Sequence, residues 1–502
     1  MADTKREIER KYEVGAGDEL PDLTSIAGVS AVVDKGVAEL DATYYDTADE
    51  RLVGASLTLR RRTGGSDAGW HLKLPVADGV RDEVHAPLSD SVPAYLSGLV
   101  RSRVRDAALV PLVRLRSARN IRHLVDADGT LLAEVSLDRV RAERLSGDKG
   151  TAEWTEIEVE LADDGDPSFL DKVDKKLRKA GVNRSSAPSK LARALEETGD
   201  GTGPAAAAEP EPPATAGDHV LAYVRVQRDA ILEMDPAVRR DVFDSVHSMR
   251  VATRRLRSTF RSFGKVLDRG ITDPVADDLK WLAGELGIDR DREVLTEHLT
   301  TALSGLPRSL VSGPVQGRLR TWSEARRGGS RKRLISVLDG DRYLRLLNAL
   351  DALIADPPLL EAAAGDPSKV IAKAVRKDFG KVAVLVDQAL DLPPGSDRDV
   401  AIHEARKKAK RTRYAAEAAA PALGKPAEVL VKSMKSLQTM LGDHQDSVMA
   451  RETLLELSAL AHAAGESTFT YGVLYGREEQ RAAAAEAALP EAWRTAEDGA
   501  RL

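Results

Sequence analysis

The chain has 502 residues, of which 42% are hydrophobic and 31% are charged, and its formal net charge is −6 at pH 7. This length suits two or more globular domains, and the negative net charge excludes a global cationic field that would attract nucleic acid or an anionic membrane. Because cysteine is absent, disulfides, thiol catalysis and cysteine-ligated zinc are excluded. We find no secretory signal and no apolar run long enough for a membrane span, so we expect a cytoplasmic protein.

Residues 199–217 separate two segments of different character. Gly, Pro and Ala dominate this stretch and no amphipathic period continues through it, which is typical of a linker. Before it, apolar and polar residues mostly alternate with period two, and after it apolar residues recur every three to four positions. We therefore predict an α+β domain over residues 1–198, a linker over residues 199–217 and an all-α domain over residues 218–502.

The first segment contains eight candidate strands and one clear candidate helix. In chain order the strands are EIERKYEV, ATYYDT, SLTLRRRT, GWHLKLPV, RDEVHA, RNIRHLVDA, LLAEVSLDRV and EWTEIEVEL. Turn sequences such as GGSDAG and DADG separate some of them, as antiparallel hairpins require. The segment DPSFLDKVDKKLRKAG has helical periodicity. The pattern predicts a large antiparallel sheet accompanied by helices.

The first strand has one charged face, and later strands repeat this division. Its charged face carries Glu7, Glu9, Lys11 and Glu13, and its other face carries Ile8, Tyr12 and Val14. A single such strand is typical of a solvated sheet edge. The matching positions on later strands are Arg60, Arg62, Lys73, Arg81, Glu83, Glu134, Asp138, Glu156, Glu158 and Glu160. A closed barrel is the alternative to solvent exposure, with charges facing inward around a ligand and apolar faces outward under helices.

The ligand of such a barrel can be deduced from the charges that would line it. Paired carboxylates supply the oxygen ligands that Mg²⁺ or Mn²⁺ prefers. Arginine and lysine side chains suit phosphate oxygens, and guanidinium groups bind them with two hydrogen bonds. A divalent cation bound to a chain of phosphates needs both sets in one cavity. No GxxxxGK[ST] sequence is present, so a P-loop is not expected to bind the phosphates.

Glu7-x-Glu9-x-Lys11 resembles the ExExK signature of the CYTH domain, the triphosphate tunnel metalloenzyme superfamily, and the charged strands follow in matching order. The resemblance implies an eight-stranded antiparallel tunnel that hydrolyses or cyclises triphosphate substrates with Mg²⁺ or Mn²⁺. The metal ligands it implies are Glu7, Glu9, Glu134, Asp138, Glu156 and Glu158. The phosphate contacts it implies are Lys11, Arg60, Arg62, Lys73, Arg81, Lys190 and Arg119 or Arg122. Catalytic roles fall on Glu7, Glu9, Lys11, Arg60, Arg62 and Lys73, while Glu83 and Glu160 are candidates for supporting positions.

The second segment contains an internal repeat. VHSMRVATRRLRSTF from Val246 aligns with IHEARKKAKRTRYAA from Ile402, and LGIDRD from Leu286 aligns with LGDHQD from Leu441. The two alignments have nearly the same offset, which indicates duplication of one helical unit. Asp291 then corresponds to Asp446, although Arg290 stands where the second copy has Gln445.

Each copy carries a basic stripe on one face of a helix. The first stripe consists of His247, Arg250, Arg254 and Arg257, and the second of His403, Arg406, Lys410 and Arg413. Two equivalent stripes suggest that they share one anion. The alternatives are a solvated basic face paired with acids elsewhere, histidines with a packing role, and zinc bound by His247, His403 and His444. Zinc is disfavoured because these histidines lack carboxylate or cysteine companions at the usual spacing.

The motifs HxxRVxxRRLR at His247, HxxRKxxKRxRY at His403 and LGDHQD at Leu441 resemble those of the CHAD domain. CHAD domains commonly follow CYTH domains, and the same order occurs here. The resemblance implies a pair of four-helix bundles with pseudo-twofold symmetry and a basic cavity that binds inorganic polyphosphate. The binding residues it implies are His247, Arg250, Arg254, Arg255, Arg257, His403, Arg406, Lys407, Lys410, Arg411, Arg413 and His444.

We therefore expect a metal-dependent triphosphatase that hydrolyses inorganic triphosphate or a related triphosphate and binds inorganic polyphosphate through its helical half. One alternative is a non-catalytic polyphosphate-binding protein associated with polyphosphate granules. Another is a nucleotidyl cyclase, as some tunnel enzymes are.

Overall fold

A computed structural model describes residues 3–15, 19–147, 150–199, 212–287, 290–324 and 327–500. The chain forms two compact units, Met1–Pro210 and Glu211–Leu502, the first built mainly of strands and the second of helices. Most of the predicted linker, residues 200–211, lies outside the described residues. In the described part, no helix has the length and apolar character needed to cross a bilayer.

The first unit is a closed antiparallel barrel of eight strands. The strands are β1 (Asp3–Val14), β2 (Ala31–Asp46), β3 (Thr58–Thr63), β4 (Gly69–Ala77), β5 (Val80–Ala86), β6 (Val110–Val125), β7 (Leu131–Arg144) and β8 (Thr151–Leu161). Their order around the barrel is β1-β5-β4-β3-β2-β6-β7-β8, and pairing of β8 with β1 closes the ring. A two-residue strand, β9 (Asn183–Arg184), pairs with the end of β1. The predicted eight-stranded antiparallel barrel is confirmed.

Every predicted strand overlaps one of these eight, although three predictions run one or two residues past an observed strand end, and β2 starts much earlier than predicted. Its first nine residues, 31–39, are exposed or half-buried, and clear alternation with buried positions begins only at Leu40. Because no face of this half-strand is consistently apolar, its sequence carries no period-two signal. Pairing with β6 over 31–46 holds it in the sheet instead.

Two helices cover the outer face of the barrel. Helix α1 (Ala94–Val104) packs Leu96 and Leu99 into a core with Trp70 and Leu72. Helix α2 (Ser168–Lys179), which lies within the predicted helical segment, contributes to a core with Val135. The apolar faces of the strands therefore point outward beneath helices, as the closed-barrel hypothesis requires.

A third helix, α3 (Lys190–Thr198), plugs one end of the barrel. Leu191 and Leu195 form a core with Tyr44, Val113 and Trp154. Register places Tyr44 beside Arg60, and Trp154 lies two residues before Glu156, so these aromatic residues occupy the inner face. The Ser189 hydroxyl accepts a hydrogen bond from the Ala192 N–H (3.1 Å) and caps the helix. The first residue of α3, Lys190, consequently lies where the apolar plug meets the charged interior.

The second unit is all-helical, as predicted. Its helices are α4 (Ala216–Arg239), α5 (Ser245–Ser262), α6 (Arg269–Glu285), α7 (Arg290–Ser304), α8 (Val315–Glu324), α9 (Arg327–Asp339), α10 (Asp341–Ala355), α11 (Pro367–Asp391), α12 (Ser396–Leu423), α13 (Lys425–Ala463) and α14 (Phe469–Asp498). One large core joins parts of α4, α5, α6 and α10 to α11, α12, the first half of α13 and the end of α14. A smaller four-helix core joins α7, α8, the second half of α13 and the start of α14.

The repeat detected in the sequence corresponds to repeated helices. Helices α4 and α5 match α11 and α12, while α6 and α7 match the two halves of the 39-residue α13. Residues 288–289, which separate α6 from α7, lie outside the described residues, as do the side chains of Arg290 and Asp291. The side chain of the aligned residue Asp446 is described. The predicted correspondence between Asp291 and Asp446 therefore stays a prediction.

Candidate active site and anion-binding cavities

Strand register gathers the predicted charged residues on the inner face of the barrel. Lys11 lies opposite Glu158, Glu156 lies opposite Asp138, and Asp138 lies opposite Arg119. On the other side of the ring, Lys73 lies opposite Glu83. The register places on this face Glu7, Glu9, Lys11, Arg60, Arg62, Lys73, Arg81, Glu83, Arg119, Glu134, Asp138, Glu156, Glu158 and Glu160.

Three carboxylates form an acidic cluster around one ammonium group. Carboxylate oxygens of Asp138, Glu156 and Glu158 lie within 4.8 Å of one another. The Lys190 Nζ lies 2.8 Å from Asp138, 2.6 Å from Glu156 and 2.6 Å from Glu158. Burial acts to raise the pKa values of Asp138 and Glu158, but Arg119 and Lys190 outweigh it and hold both pKa values below the usual range. Asp138 and Glu158 therefore stay anionic at neutral pH.

Glu9 and Lys11 extend this cluster along β1. The Lys11 Nζ lies 2.5 Å from Glu9 and 3.0 Å from Glu158, and so links Glu9 to the cluster. Burial opposes ionisation of Glu9, but attraction to Lys11 and Lys73 lowers its pKa to about 2. Glu9 is thus a charged carboxylate that lies beside the cluster.

Glu7 has the opposite electrostatic character. Its carboxylate lies 2.5 Å from the Lys73 ammonium, which also approaches Glu83 at 3.9 Å. Burial and repulsion from Glu83 outweigh the attraction to Lys73 and raise the pKa of Glu7 to about 7. Of the acids on the inner face, Glu7 is one that can exchange a proton near neutral pH.

Arginines on the inner face favour an anion. Arg62 is only 5% exposed, and burial together with repulsion from Arg60 and Arg119 lowers its pKa to about 9. The Arg60 guanidinium reaches Glu83 at 3.4 Å, and Arg119 donates to both Asp138 and Glu158 at 2.6 Å. Arg62 also forms an ion pair with Asp67, and an anion bound between these guanidinium groups would relieve the repulsion that lowers the pKa of Arg62.

Three further residues contact this network and were not predicted. His71 is 1% exposed, with its Nδ1 3.1 Å from Glu83. The Tyr44 hydroxyl accepts from Arg60 at 3.3 Å, and the Trp154 indole donates to Glu156 at 2.7 Å. His71 lies two residues before Lys73, so period two could have placed it on the inner face. Tyr44 and Trp154 lie at the barrel end that α3 closes, and the sequence did not predict that α3 packs there.

Two predicted site residues lie elsewhere. Arg122 pairs in register with Val135, which belongs to the outer core beneath α2, so its predicted place in the interior is wrong. Glu134 faces inward but pairs with His123 at 3.2 Å, away from the acidic cluster. Strand pairing therefore selects Arg119 rather than Arg122, and it separates Glu134 from Asp138.

The remaining residues of this set lie near the edges of the barrel. Glu160 forms a part-exposed ion pair with Lys5 at 2.7 Å. Glu13 accepts from the Ser185 hydroxyl at 2.9 Å and the Ser186 N–H at 3.2 Å, and so anchors the loop before Lys190. Arg81 donates to the Pro188 carbonyl of this loop at 3.0 Å.

A cavity of about 570 Å³ opens beside these loops. It is lined by Glu9 and Lys11 of the interior and by Arg81, Arg184 and Ser185 nearer the surface. Among the described residues that line it, none is aromatic. Ile8, Val80 and Leu170 also line it, so the cavity has mixed polarity and borders both the charged and the apolar face of β1.

In the helical unit, the two basic stripes line a pair of cavities. The smaller, of about 420 Å³, is lined by His247, Arg250, Arg254, His298, His403, Arg406, Lys410 and Asp446 among others. The larger, of about 500 Å³, is lined by Arg254, Arg257, Arg261, Lys280, Glu404, Lys407, Lys408, Lys410, Arg411 and Tyr414 among others. Arg254 and Lys410 line both, so α5 and α12 contribute one basic residue each to the shared wall.

Three residues of the predicted polyphosphate set do not line these cavities. Arg255 and Arg413 both bind Glu417, at 2.9 and 3.2 Å. His444 lies 3.2 Å from Asp399 and 3.4 Å from Glu486, apart from His247 and His403. The zinc site considered for the three histidines is therefore not formed.

The carboxylates beside His444 already have cationic partners. Arg451 lies 3.3 Å from Asp399, and Arg398 lies 3.2 Å from Glu486. The two guanidinium groups balance the two carboxylates. His444 is 1% exposed, so it is part of a buried polar network that joins α12, α13 and α14.

The glycine of each LG motif makes room for an arginine of each stripe. A Cβ at Gly287 would meet the Arg250 guanidinium at 2.8 Å, and one at Gly442 would meet that of Arg406 at 3.4 Å. The two copies thus place equivalent guanidinium groups against equivalent glycines. The contact is closer at Gly287 than at Gly442, where a Cβ would be near ordinary van der Waals distance, so the need for glycine is stronger in the first copy.

Replacing Gly287 by alanine is expected to weaken binding of a polyanion to the smaller cavity by about tenfold, because the methyl group displaces a guanidinium that could donate charged hydrogen bonds. Equilibrium binding of inorganic polyphosphate checks this. Gly284→Ala is the matched control, since a Cβ at Gly284 meets no atom within 4 Å. Equal losses in both variants would contradict the explanation.

Comparison with known proteins agrees with this two-unit architecture. A CYTH domain model matches residues 5–195 and a CHAD domain model matches residues 222–455. "Uncharacterized protein MT2285" of Mycobacterium tuberculosis (strain CDC 1551 / Oshkosh) is 40% identical over 488 residues, which covers 94% of this chain and 92% of the relative. "Uncharacterized protein Rv2226" of strain ATCC 25618 / H37Rv matches to the same extent.

Among solved structures, "PptA from Streptomyces chartreusis" is 21% identical, with a TM-score of 0.47 over 56% of this chain and 100% of that chain. The CHAD domain from the plant Ricinus communis is 23% identical, with a TM-score of 0.41 over 57% of this chain and 92% of that chain.

The fold and the site define a tunnel-type phosphate-handling domain followed by a helical domain with basic cavities. The chain belongs to the family of two-domain proteins in which a CYTH domain precedes a CHAD domain. The CYTH domain places it in a superfamily of phosphohydrolases and cyclases that depend on metal ions.

Proposed function

We propose that the barrel hydrolyses inorganic triphosphate, or a closely related triphosphate, with Mg²⁺ or Mn²⁺, and that the helical unit binds inorganic polyphosphate. The observation that carries the first part is the closed ring in which an acidic cluster and a group of buried arginines share one interior. Oxygen ligands for a cation and guanidinium groups for phosphates are both needed to hold a metal–triphosphate complex.

The acidic cluster fits a hard divalent cation. Its donors are carboxylate oxygens alone, which suit Mg²⁺ or Mn²⁺ better than zinc. Asp138, Glu156 and Glu158 would hold the ion, and Glu9 lies beside them through Lys11. When bound, such an ion supplies charge neutralisation and Lewis acidity at phosphate oxygens.

The chain's own residues have separable roles in this reaction. Arg60, Arg62 and Lys73 would bind phosphate oxygens and hold the chain of phosphates in line for attack. Glu7 would accept the proton of the attacking water, because its pKa of about 7 matches neutral conditions. The plug formed by α3 would keep bulk water from that end of the site.

The approach cavity favours an inorganic substrate over a nucleotide. Its described lining mixes arginines and hydroxyl groups with apolar residues such as Val80 and Leu170, but it has no aromatic ring on which a base could stack. A phosphate chain needs only the charges. We therefore favour triphosphate hydrolysis over nucleotide cyclisation.

The helical unit supports the second part of the proposal through its two cavities. Cations from α5 and α12 line both, and the paired arginines on neighbouring positions turn away to Glu417. An extended polyanion needs such a track of cations along its length. Association with cytoplasmic polyphosphate granules would follow from this binding.

Phosphate release from inorganic triphosphate, ATP and long-chain polyphosphate, each with Mg²⁺ or Mn²⁺, tests the enzymatic part. We expect triphosphate to be the preferred substrate and Glu9→Gln to reduce turnover by about 10²-fold, because it removes one of the ionised acids beside the cluster. Glu153→Gln is the control, since this β8 glutamate is 70% exposed in its ion pair with Arg141.

The outcomes separate the alternatives. Unchanged hydrolysis in Glu9→Gln would show that Glu9 takes no part in the reaction. Cyclic nucleotide without phosphate release would favour a cyclase. Tight triphosphate binding without turnover would favour a non-catalytic binding protein.

A further inference from the structure

The two cavities of the helical unit meet at a wall that Lys410 shares with Arg254. Among the described residues, no carboxylate lies within ion-pair distance of the Lys410 ammonium. Its neighbours on the stripe are cations, whereas Lys407 on the same helix contacts Glu404 at 2.5 Å. Lys410 is thus a half-buried lysine placed among positive charges.

The charged and titratable groups around Lys410 come from every helix that lines the cavities. From α5 they are His247, Arg250, Arg254, Arg257 and Arg261. From α6, α7 and α13 they are Lys280, His298 and Asp446. From α12 itself they are His403, Glu404, Arg406, Lys407, Lys408, Arg411, Arg413 and Tyr414. Among the described residues, cations outnumber the acids Glu404 and Asp446 of the lining, and Lys407 already engages Glu404. Two further acids lie near cations of the larger cavity: Asp378 pairs with Arg411 at 3.2 Å, and Asp277 attracts Arg257.

We infer that Lys410 is uncharged in the empty site and takes up a proton when polyphosphate binds, so that binding at the shared wall is coupled to pH. This inference rests on the proposed polyphosphate binding and adds its regulation. The proton comes from solvent to the Lys410 amine, and the new ammonium donates to phosphate oxygens. No other group changes its bonding in this step.

Electrostatics support this assignment. Burial, followed by repulsion from Arg406, Arg254 and Arg250, lowers the pKa of Lys410 to about 7. At about pH 8 roughly nine-tenths of the Lys410 side chains are then neutral. A polyanion laid along the wall cancels the repulsion and raises the pKa again, so proton uptake must accompany binding.

The histidines of the site do not produce the same signature. A histidine ordinarily titrates near pH 6.5, and burial and Lys407 lower the pKa of His403 further. The wild type and Lys410→Arg carry the same histidines, so the difference in proton uptake between these two proteins reports on Lys410 rather than on histidine.

Titration calorimetry of the full-length protein with polyphosphate of one chain length, in two buffers of different ionisation enthalpy, tests the inference. At about pH 8 we expect the wild type to take up close to one proton more than Lys410→Arg, whose guanidinium keeps its charge. Between about pH 7.5 and 9 the wild-type affinity should fall by up to tenfold per pH unit, while that of Lys410→Arg stays level.

Lys410→Gln provides a second test, because it adds no charge to the wall and avoids the folding cost of a permanent cation. Its affinity should approach that of the wild type at high pH and fall below it near neutrality. Equal proton uptake in wild type and both variants would overturn the inference while leaving polyphosphate binding intact. No binding by the wild type at any pH would overturn the proposed function of the helical unit itself.

Discussion

Replacing Lys190 by methionine is expected to lower the free energy of unfolding of the N-terminal unit by about 3–5 kcal/mol when no divalent cation is present. The ammonium compensates three buried carboxylates at once, and Asp138 among them is fully buried. Without it, Arg119 and Lys11 alone must balance these charges. Triphosphate hydrolysis should fall at least as steeply as in Glu9→Gln, because the cluster loses its fixed geometry.

Divalent cations should partly reverse this loss of stability. If the cluster binds Mg²⁺ or Mn²⁺, the ion supplies positive charge to the same oxygens, and Lys190→Met gains more stability from it than the wild type does. Hydrogen exchange of peptides from β7 and β8 in the full-length chain, with the cation or with chelator, measures this. Lys175→Met on the exposed face of α2 is the matched control.

Two results would count against this account of the cluster. A loss of stability in Lys190→Met that equals the small loss in Lys175→Met would show that the ammonium does not hold the acids. A large loss that no divalent cation reverses would show that the acids form a structural ion-pair network rather than a metal site.

The inner face of the barrel could be predicted because period two is a local property of each strand. Glu7, Glu9 and Lys11 occupy every second position of β1, and the structure places them inside. Contacts across strands could not be predicted in this way, because register depends on pairing. Arg119 and Arg122 have similar sequence surroundings, and only their pairing with Asp138 and Val135 distinguishes them.

Lys190 shows a second limit of the sequence. The family resemblance identified it as a phosphate contact, whereas the structure places its ammonium among the carboxylates. The difference arises from α3, which fills the barrel end with Leu191 and Leu195 and carries Lys190 to the edge of the plug. Leu191, Ala194 and Leu195 have the spacing of an amphipathic helix, but their partners are distant in sequence, so the spacing alone does not show where the helix packs.

In the helical unit, helical spacing predicted the residues that line the cavities better than the sequence motifs did. Helical spacing selected Arg250, Arg254 and Arg257, which line the cavities, whereas the motif added Arg255, which does not. Arg413 belongs to a stripe but lines neither cavity, because Glu417 lies one turn further along α12 and binds it. Local ion pairs of this kind decide which members of a basic stripe remain available to a ligand.

Combining Arg250→Gln with Arg406→Gln is expected to weaken polyphosphate binding by about 10²- to 10⁴-fold, since each guanidinium would donate charged hydrogen bonds worth about 1.5–3 kcal/mol. These residues are equivalent in the two copies, both line the smaller cavity, and each lies against the glycine of an LG motif. The slope of log affinity against log salt concentration should fall by about 1 to 2, because two phosphate contacts are lost.

The matched control uses two arginines from the same helices. Arg255→Gln combined with Arg413→Gln removes the same formal charge, but these side chains bind Glu417 and do not line either cavity. We expect their affinity to change by less than about threefold, with a small loss of stability because Glu417 is left unpaired. Equal losses in the two double variants would mean that the total charge of α5 and α12 attracts the polyanion. A large difference would mean that polyphosphate is held by the particular guanidinium groups that the paired glycines admit to the cavity.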